Sequence, residues 1–153
     1  MKIQDLAESY FDQTVAFRRF LHKNPELAFQ EVQTSAFIRS QLEELGFSVH
    51  TGFATTGLVG SFETVKTEPR FLLRFDMDAL PVQEENEFEY RSLNPGKMHA
   101  CGHDGHMAIG LTVAWMIRQL QKELSGSFHL LFQPAEEIGQ GAETMIQDGV
   151  LDL

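Results

Sequence analysis

Gly105-His-Met-Ala-Ile-Gly-Leu-Thr-Val-Ala-Trp-Met-Ile-Arg-Gln-Leu-Gln-Lys-Glu-Leu124 runs through Ser125-Gly126 into Ser127-Phe-His-Leu-Leu-Phe-Gln133, and Pro134 follows. The first segment is rich in Ala, Ile, Leu, Val, Trp and Met and is too long for a strand, so it reads as a helix over about 105–124. Ser125-Gly126 ends it. The second segment is short, apolar and closed by proline, which reads as a strand. Upstream, Phe71-Leu-Leu-Arg-Phe75 is the most apolar short run and reads as a central strand. Strand, long helix, strand predicts a βαβ layering over an open sheet, so the fold class is α/β.

Outward from this unit, Leu6, Tyr10, Phe11, Val15, Phe17, Phe20 and Leu21 recur at near-helical spacing. They predict one helix over about 5–22, ended by Asn24-Pro25 because proline disfavours α geometry in the residue before it. Ala36, Phe37, Ile38, Leu42 and Leu45 predict a second helix over 34–45, with Gly46 as its left-handed cap. Short strands are predicted at 47–50 and 57–62. Residues 77–98 show little periodicity and form a long loop, and a last helix covers about 142–148. A loop of that length inside a compact domain is usually functional.

Composition narrows the partners. The 153 residues are 42% hydrophobic and 22% charged, enough for one domain with a real core. Twelve Lys+Arg against 22 Asp+Glu leave a net charge of −10, which argues against nucleic acid or an anionic membrane as a partner. Cys101 is the single cysteine, so no internal disulfide is expected. The N-terminus lacks a signal-peptide run, and the longest apolar stretch, Met107 to Ile117, is too short to cross a bilayer. A soluble, cytoplasmic protein is the expectation.

The chemistry concentrates in three places. Met98-His-Ala-Cys-Gly-His-Asp-Gly-His-Met107 holds three of the six histidines, the cysteine and an aspartate. Thiolate, imidazole and carboxylate are the ligand set of Zn²⁺ and related divalent ions. Gly102 lets the backbone turn so that Cys101 and His103 can face one ion, and Gly105 opens the helix behind them. Glu136-Glu137 follows the 127–133 strand, where open α/β sheets bind ligands. One carboxylate could ligate while the other removes a proton from water, provided Pro134 bends the chain. An isolated Glu-Glu pair is usually only a solvated turn. Asp76 and Asp78 share a face if their strand persists, as direct ligands or as groups orienting an imidazole. A Cys101–His103 nucleophile pair is the competing reading, disfavoured because the surrounding carboxylates oppose a free thiolate.

In this order, the segments Arg18–Glu31, Thr56–Gly60, Asp76–Pro81, His99–Met107 and Gln133–Glu137 resemble the amidohydrolase branch of the peptidase M20 family. The resemblance implies a three-layer α/β/α zinc-peptidase-like catalytic domain with an open mixed sheet. It implies Cys101, His103 and Glu137 as metal ligands, Glu136 as general base, and Asp78 as the aspartate supporting the site. Asp76 stands where other branches place a ligating histidine. Asp104 and His106 are candidates for support behind the ligands, and His22, at the end of the first helix, reads as structural or as a further support of that kind. The implied reaction is hydrolysis of an N-acyl amino acid, such as an N-acetyl or hippurate-like amide, with two divalent ions (Zn or Mn) per complete site.

Members of that family are considerably longer. The expectation is therefore that residues 1–153 form the N-terminal part of a catalytic domain, without the lid and dimerisation domain and without the remaining histidine ligands. An incomplete sheet of this kind should leave exposed apolar edges that favour self-association or packing against the missing portion. A catalytically incomplete metal-binding module is the alternative.

Overall fold

The computed structural model describes residues 2–153. Its elements are α1 (Ile3–Ser9), α2 (Phe11–Lys23), α3 (Val32–Glu44), β1 (Ser48–Phe53), β2 (Gly57–Glu63), β3 (Arg70–Asp76), α4 (His103–Leu120), β4 (Ser127–Gln133) and α5 (Gly141–Gln147), followed by a 3₁₀ turn at Val150–Asp152. The strands form one mixed sheet in the order β1-β2-β4-β3. β1 and β2 are antiparallel, β2 and β4 are antiparallel, and β3 runs parallel to β4 from Arg70↔Ser127 to Asp76↔Gln133. The parallel pair is the expected βαβ unit, with α4 as its crossover.

Alternation along β4 builds the layers. Leu130 and Phe132 point into the larger core with Leu58, Phe75, Leu42, Met107, Leu111 and Ala114. Leu131, between them, joins Val59, Met145 and Val150 on the opposite face. Helices α1–α4 therefore cover one face and α5 with the 3₁₀ turn the other, which is the α/β/α arrangement. Burying side chains such as Leu42 and Phe132 from water stabilises this core by about 1.5–3 kcal/mol each. On α4, positions 103, 107, 110, 114 and 117 are buried at helical spacing. At Gly110 the helix lies close against the sheet, for a Cβ there would lie 2.9 Å from the Phe75 ring and 3.1 Å from that of Phe132.

Several expectations need correction. The single helix over 5–22 is two, broken at Tyr10, whose φ/ψ of −98°/4° is not helical. Ser9 Oγ donates to the Leu6 carbonyl at 2.6 Å, and Tyr10 packs its ring on Trp115 of α4, with centroids 5.6 Å apart. That tertiary contact outweighs the local helical pattern. The strand at Phe71–Phe75 is not central: β4 lies between β2 and β3, and β3 is an edge among the described residues. Phe71 and Leu72 on it are accordingly 43% and 56% exposed. Helix α4 starts at His103, with Gly102 in front of it at φ +93°, so Gly105 lies in its first turn and does not open it. The same helix stops at Leu120, short of Ser125-Gly126.

Other features match. Phe47 N–H bonds the Leu42 carbonyl and Gly46 N–H that of Glu43, a left-handed cap with Gly46 at φ +82°. Loop 77–98 carries only isolated bridges, Leu27↔Ala79 and Leu80↔Met98.

Candidate metal centre

The parallel strands β3 and β4 end side by side, at Asp76 and Gln133, and the chemistry gathers just beyond these ends. From β4, Pro134 leads into Ala135 at φ +54°, a left-handed bend for a residue that carries a side chain. The bend lets Glu136 and Glu137 approach the same imidazole: His103 Nε2 lies 3.7 Å from Glu136 Oε2 and 4.0 Å from Glu137 Oε1. From the opposite side, the left-handed Gly102 turns Cys101 and His103 together. One ligand atom from each of Cys101, His103 and Glu137 lies within 4.8 Å of the other two.

These residues fit a cation. Metal–ligand lengths of about 2.0–2.3 Å leave ligand atoms roughly 3–4 Å apart around one ion, so only a small contraction is needed. Glu137 Oε1 is buried with no hydrogen-bond partner among the described residues. An unpaired buried carboxylate oxygen is costly unless something positive meets it. His103 Nδ1 lies 2.8 Å from the Asp78 carbonyl, which as an acceptor fixes a proton on Nδ1 and makes Nε2, facing the two glutamates, the atom that would ligate.

Electrostatics point the same way. Burial opposes a charge on His103, but the Asp78 carboxylate and carbonyl, with Asp76 behind them, outweigh it and raise its pKa to about 9. Glu137, then burial, then the charges of Glu136 and Asp76 push the Cys101 thiol up. Without a cation the site therefore holds protons, and a bound cation would have to displace them. Burial also raises Asp78, but His103 and the backbone amides of Glu137 and Glu136 win and hold it below the ordinary carboxylate value. Its Oδ2 accepts the Glu137 N–H at 3.0 Å.

The aspartates divide. Asp78 serves His103 and Glu137. Asp76, at the end of β3, pairs with the Arg74 guanidinium, whose Nε donates to Gln133 Oε1 at 2.6 Å. His106 Nδ1 lies 3.3 Å from Asp76 Oδ2 and accepts the Asp76 amide at 3.2 Å. Asp104 points away from the trio and is fully buried, with Oδ2 2.8 Å from His22 Nδ1 and accepting from Arg18 Nε at 3.2 Å. His22 Nε2 reaches Glu84 Oε1 at 3.1 Å. His22 thus ties the loop 77–98 to the first turn of α4, a supporting role whose partners its sequence position did not reveal. Glu84 and Glu31 were missed as well: single carboxylates in a loop and before a helix carry no local signal beyond lying in or near matched segments. His99 is buried, with neither ring nitrogen hydrogen-bonded, and burial brings its pKa down to about 4.

The α/β/α fold, with a thiol, an imidazole and a carboxylate gathered at the ends of two parallel strands, has the donor set of a candidate cation site. The pattern described as Peptidase family M20/M25/M40 matches residues 72–153, and the chain belongs to that family. It is 46% identical over 145 residues to the IAA-amino acid hydrolase ILR1-like 5 of Arabidopsis thaliana, covering 95% of this chain and 33% of that protein. It is 42% identical to the N-acyl-L-amino acid amidohydrolase of Geobacillus stearothermophilus, over 99% of this chain and 41% of that protein. The crystal structure of the Bacillus subtilis YXEP protein, described as a dinuclear metal binding peptidase from the M20 family, superposes with a TM-score of 0.88 at 39% identity. That match covers 94% of this chain and 41% of the other. The chain thus spans 33–41% of the length of these relatives.

Proposed function

We propose that the protein is a metal-dependent amidohydrolase cleaving the amide bond of N-acyl amino acids, and that residues 1–153 supply the N-terminal part of its catalytic domain. The observation that carries this reading is the pairing of a three-donor cluster with a separate carboxylate. Glu137 faces Cys101 and His103, while Glu136, 40% exposed at its side chain, stays close to the same imidazole and free to take a proton. A bound divalent ion, Zn²⁺ or Mn²⁺, would supply acidification of water and polarisation of the scissile carbonyl.

This chain's own residues do the rest. Cys101, His103 and Glu137 hold the ion, and Asp78 orients His103 and the Glu137 backbone. Glu136 accepts a proton from water and delivers it to the leaving amine. The names of the relatives support the substrate class, an acyl group joined to an amino acid. A complete site would take two ions, the second needing ligands from the rest of the protein, as the dinuclear description of the YXEP protein suggests. A lone cysteine used as a ligand suits a reducing compartment such as the cytoplasm.

Two measurements test the reading. In the whole protein, Glu136→Gln should keep the metal and lower kcat for N-acetyl or N-benzoyl amino acids by about 10²–10⁴-fold; a variant of near-normal kcat refutes the role of Glu136. The second reading, a metal-binding module without turnover, is favoured for the isolated chain because it spans so little of its relatives. The 153-residue chain should bind a divalent ion yet hydrolyse these amides negligibly. Robust turnover by this chain, abolished by Glu136→Gln, overturns that second reading.

A further inference from the structure

We infer that Glu31 is a positioning residue for the carboxylate pair: its buried side chain accepts the Ala135 amide and so holds the bend that brings Glu137 to Cys101 and His103. The inference rests on the metal centre proposed above.

Glu31 precedes α3 and is 0% exposed. Its Oε2 accepts from Thr56 Oγ1 at 2.6 Å, and its Oε1 accepts the Ala135 N–H at 3.0 Å. Burial drives its pKa up more strongly than those bonds draw it down. A buried carboxyl is a poor core residue, since an apolar side chain of similar volume is often no less stable. Here it joins two turns that hold residues with side chains at positive φ. Ala54 and Thr55, just before Thr56, sit at φ +46° and +70°, and Ala135 at +54°. Conformations of this kind persist for residues with side chains only when their surroundings over-determine them.

The tethers on the second turn can be followed atom by atom. The Ala135 carbonyl accepts Gly141 N–H at 3.1 Å, the Glu136 carbonyl accepts Gly139 N–H at 2.8 Å, and the Glu137 amide is held by Asp78. The Ala135 amide is held by Glu31. Two buried carboxylates, Glu31 from before α3 and Asp78 from after β3, thus grip the turn on either side of Glu136. This arrangement also gives a purpose to the matched segments around Glu31 and Thr56, which supply no ligand to the trio.

The test uses the 153-residue chain with Co²⁺ as the probe, followed by the thiolate-to-cobalt absorption that Cys101 would give, together with amide hydrogen exchange. Glu31→Met keeps the volume and removes the acceptor; Glu31→Gln keeps a carbonyl for Ala135 and an amide for Thr56. Glu31→Met should weaken Co²⁺ binding by about 10–100-fold, the usual cost of losing support behind a ligand, and Glu31→Gln should stay within about threefold of the parent chain. Protection of the Ala135 amide should fall with methionine and survive with glutamine. A methionine variant that binds Co²⁺ as the parent does, or a glutamine variant as weak as methionine, overturns the inference. If methionine prevents folding, Glu31→Leu replaces it, with the same weakening of about 10–100-fold expected and unchanged binding overturning the inference. If the parent chain binds no Co²⁺ through Cys101, the metal centre itself fails. The positioning role is then decided by exchange alone, where equal Ala135 protection in both Glu31 variants refutes it.

Discussion

Replacing Asp78 with asparagine isolates what its charge does to the proposed metal centre. His103 carries a pKa of about 9 against an ordinary 6.5, and the Asp78 carboxylate at 3.4 Å supplies much of the rise. At pH 7 a group of that pKa is neutral in only about one molecule in a hundred, a penalty of roughly 2.7 kcal/mol on binding a metal through Nε2. The Cys101 thiol, pushed above its ordinary value by Glu137 and by burial, is also protonated at pH 7 and must give up its proton to bind. Binding one ion should therefore release two protons, and affinity should rise about 100-fold per pH unit between pH 7 and 8.5.

Asparagine removes the carboxylate and leaves the Asp78 backbone carbonyl to hold Nδ1, so His103 falls towards 6.5 and is largely neutral across this window. The slope should drop to about tenfold per unit, with only the thiol proton left to displace. Chelator competition with Zn²⁺ over the range measures the slope, and calorimetry in buffers of different ionisation enthalpy counts the protons directly. The slope is the observable, because the substitution also alters the acceptor for the Glu137 amide and with it the absolute affinity. A parent slope near zero, or an asparagine variant whose slope is unchanged, refutes the assigned electrostatics.

Two further outcomes follow from buried charge. For the metal-free chain, the raised pKa of His103 means that its contribution to stability is complete below pH 6.5 and is lost as pH rises through about 9. Asp78, held low, contributes above 3.8 and loses that contribution as pH falls through its folded value. Thermal melts with chelator present should therefore show Tm declining on both sides of a mildly acidic maximum, and a Tm still climbing from pH 7 to 9 would contradict this. His22→Ala leaves two buried carboxylates, Asp104 and Glu84, facing each other without the imidazole between them. Removing one member of such a buried pair costs about 3–5 kcal/mol, so urea denaturation should show a loss of that size, and a loss under 1 kcal/mol would show the bridge to be dispensable.

Sequence alone pointed to the layers and to the candidate donors. Helical and strand periodicity are local properties, so α4, the strands either side of it and the cap at Gly46 were legible residue by residue. Cys101, Gly102, His103 and the Glu136-Glu137 pair were legible for the same reason, since donors two residues or one residue apart need only a turn to converge. Tertiary structure decided the rest. Whether Phe71–Phe75 is central or at an edge depends on which strand lies beside it, and the kink at Tyr10 depends on Trp115, more than a hundred residues away. The supports of the site are equally non-local: His22 meets Asp104 across 82 positions, and Glu31 meets Ala135 across 104. A lone buried carboxylate has no pattern along the chain. Its meaning arises only when folding closes the distance and an amide with no other acceptor lies at the far end.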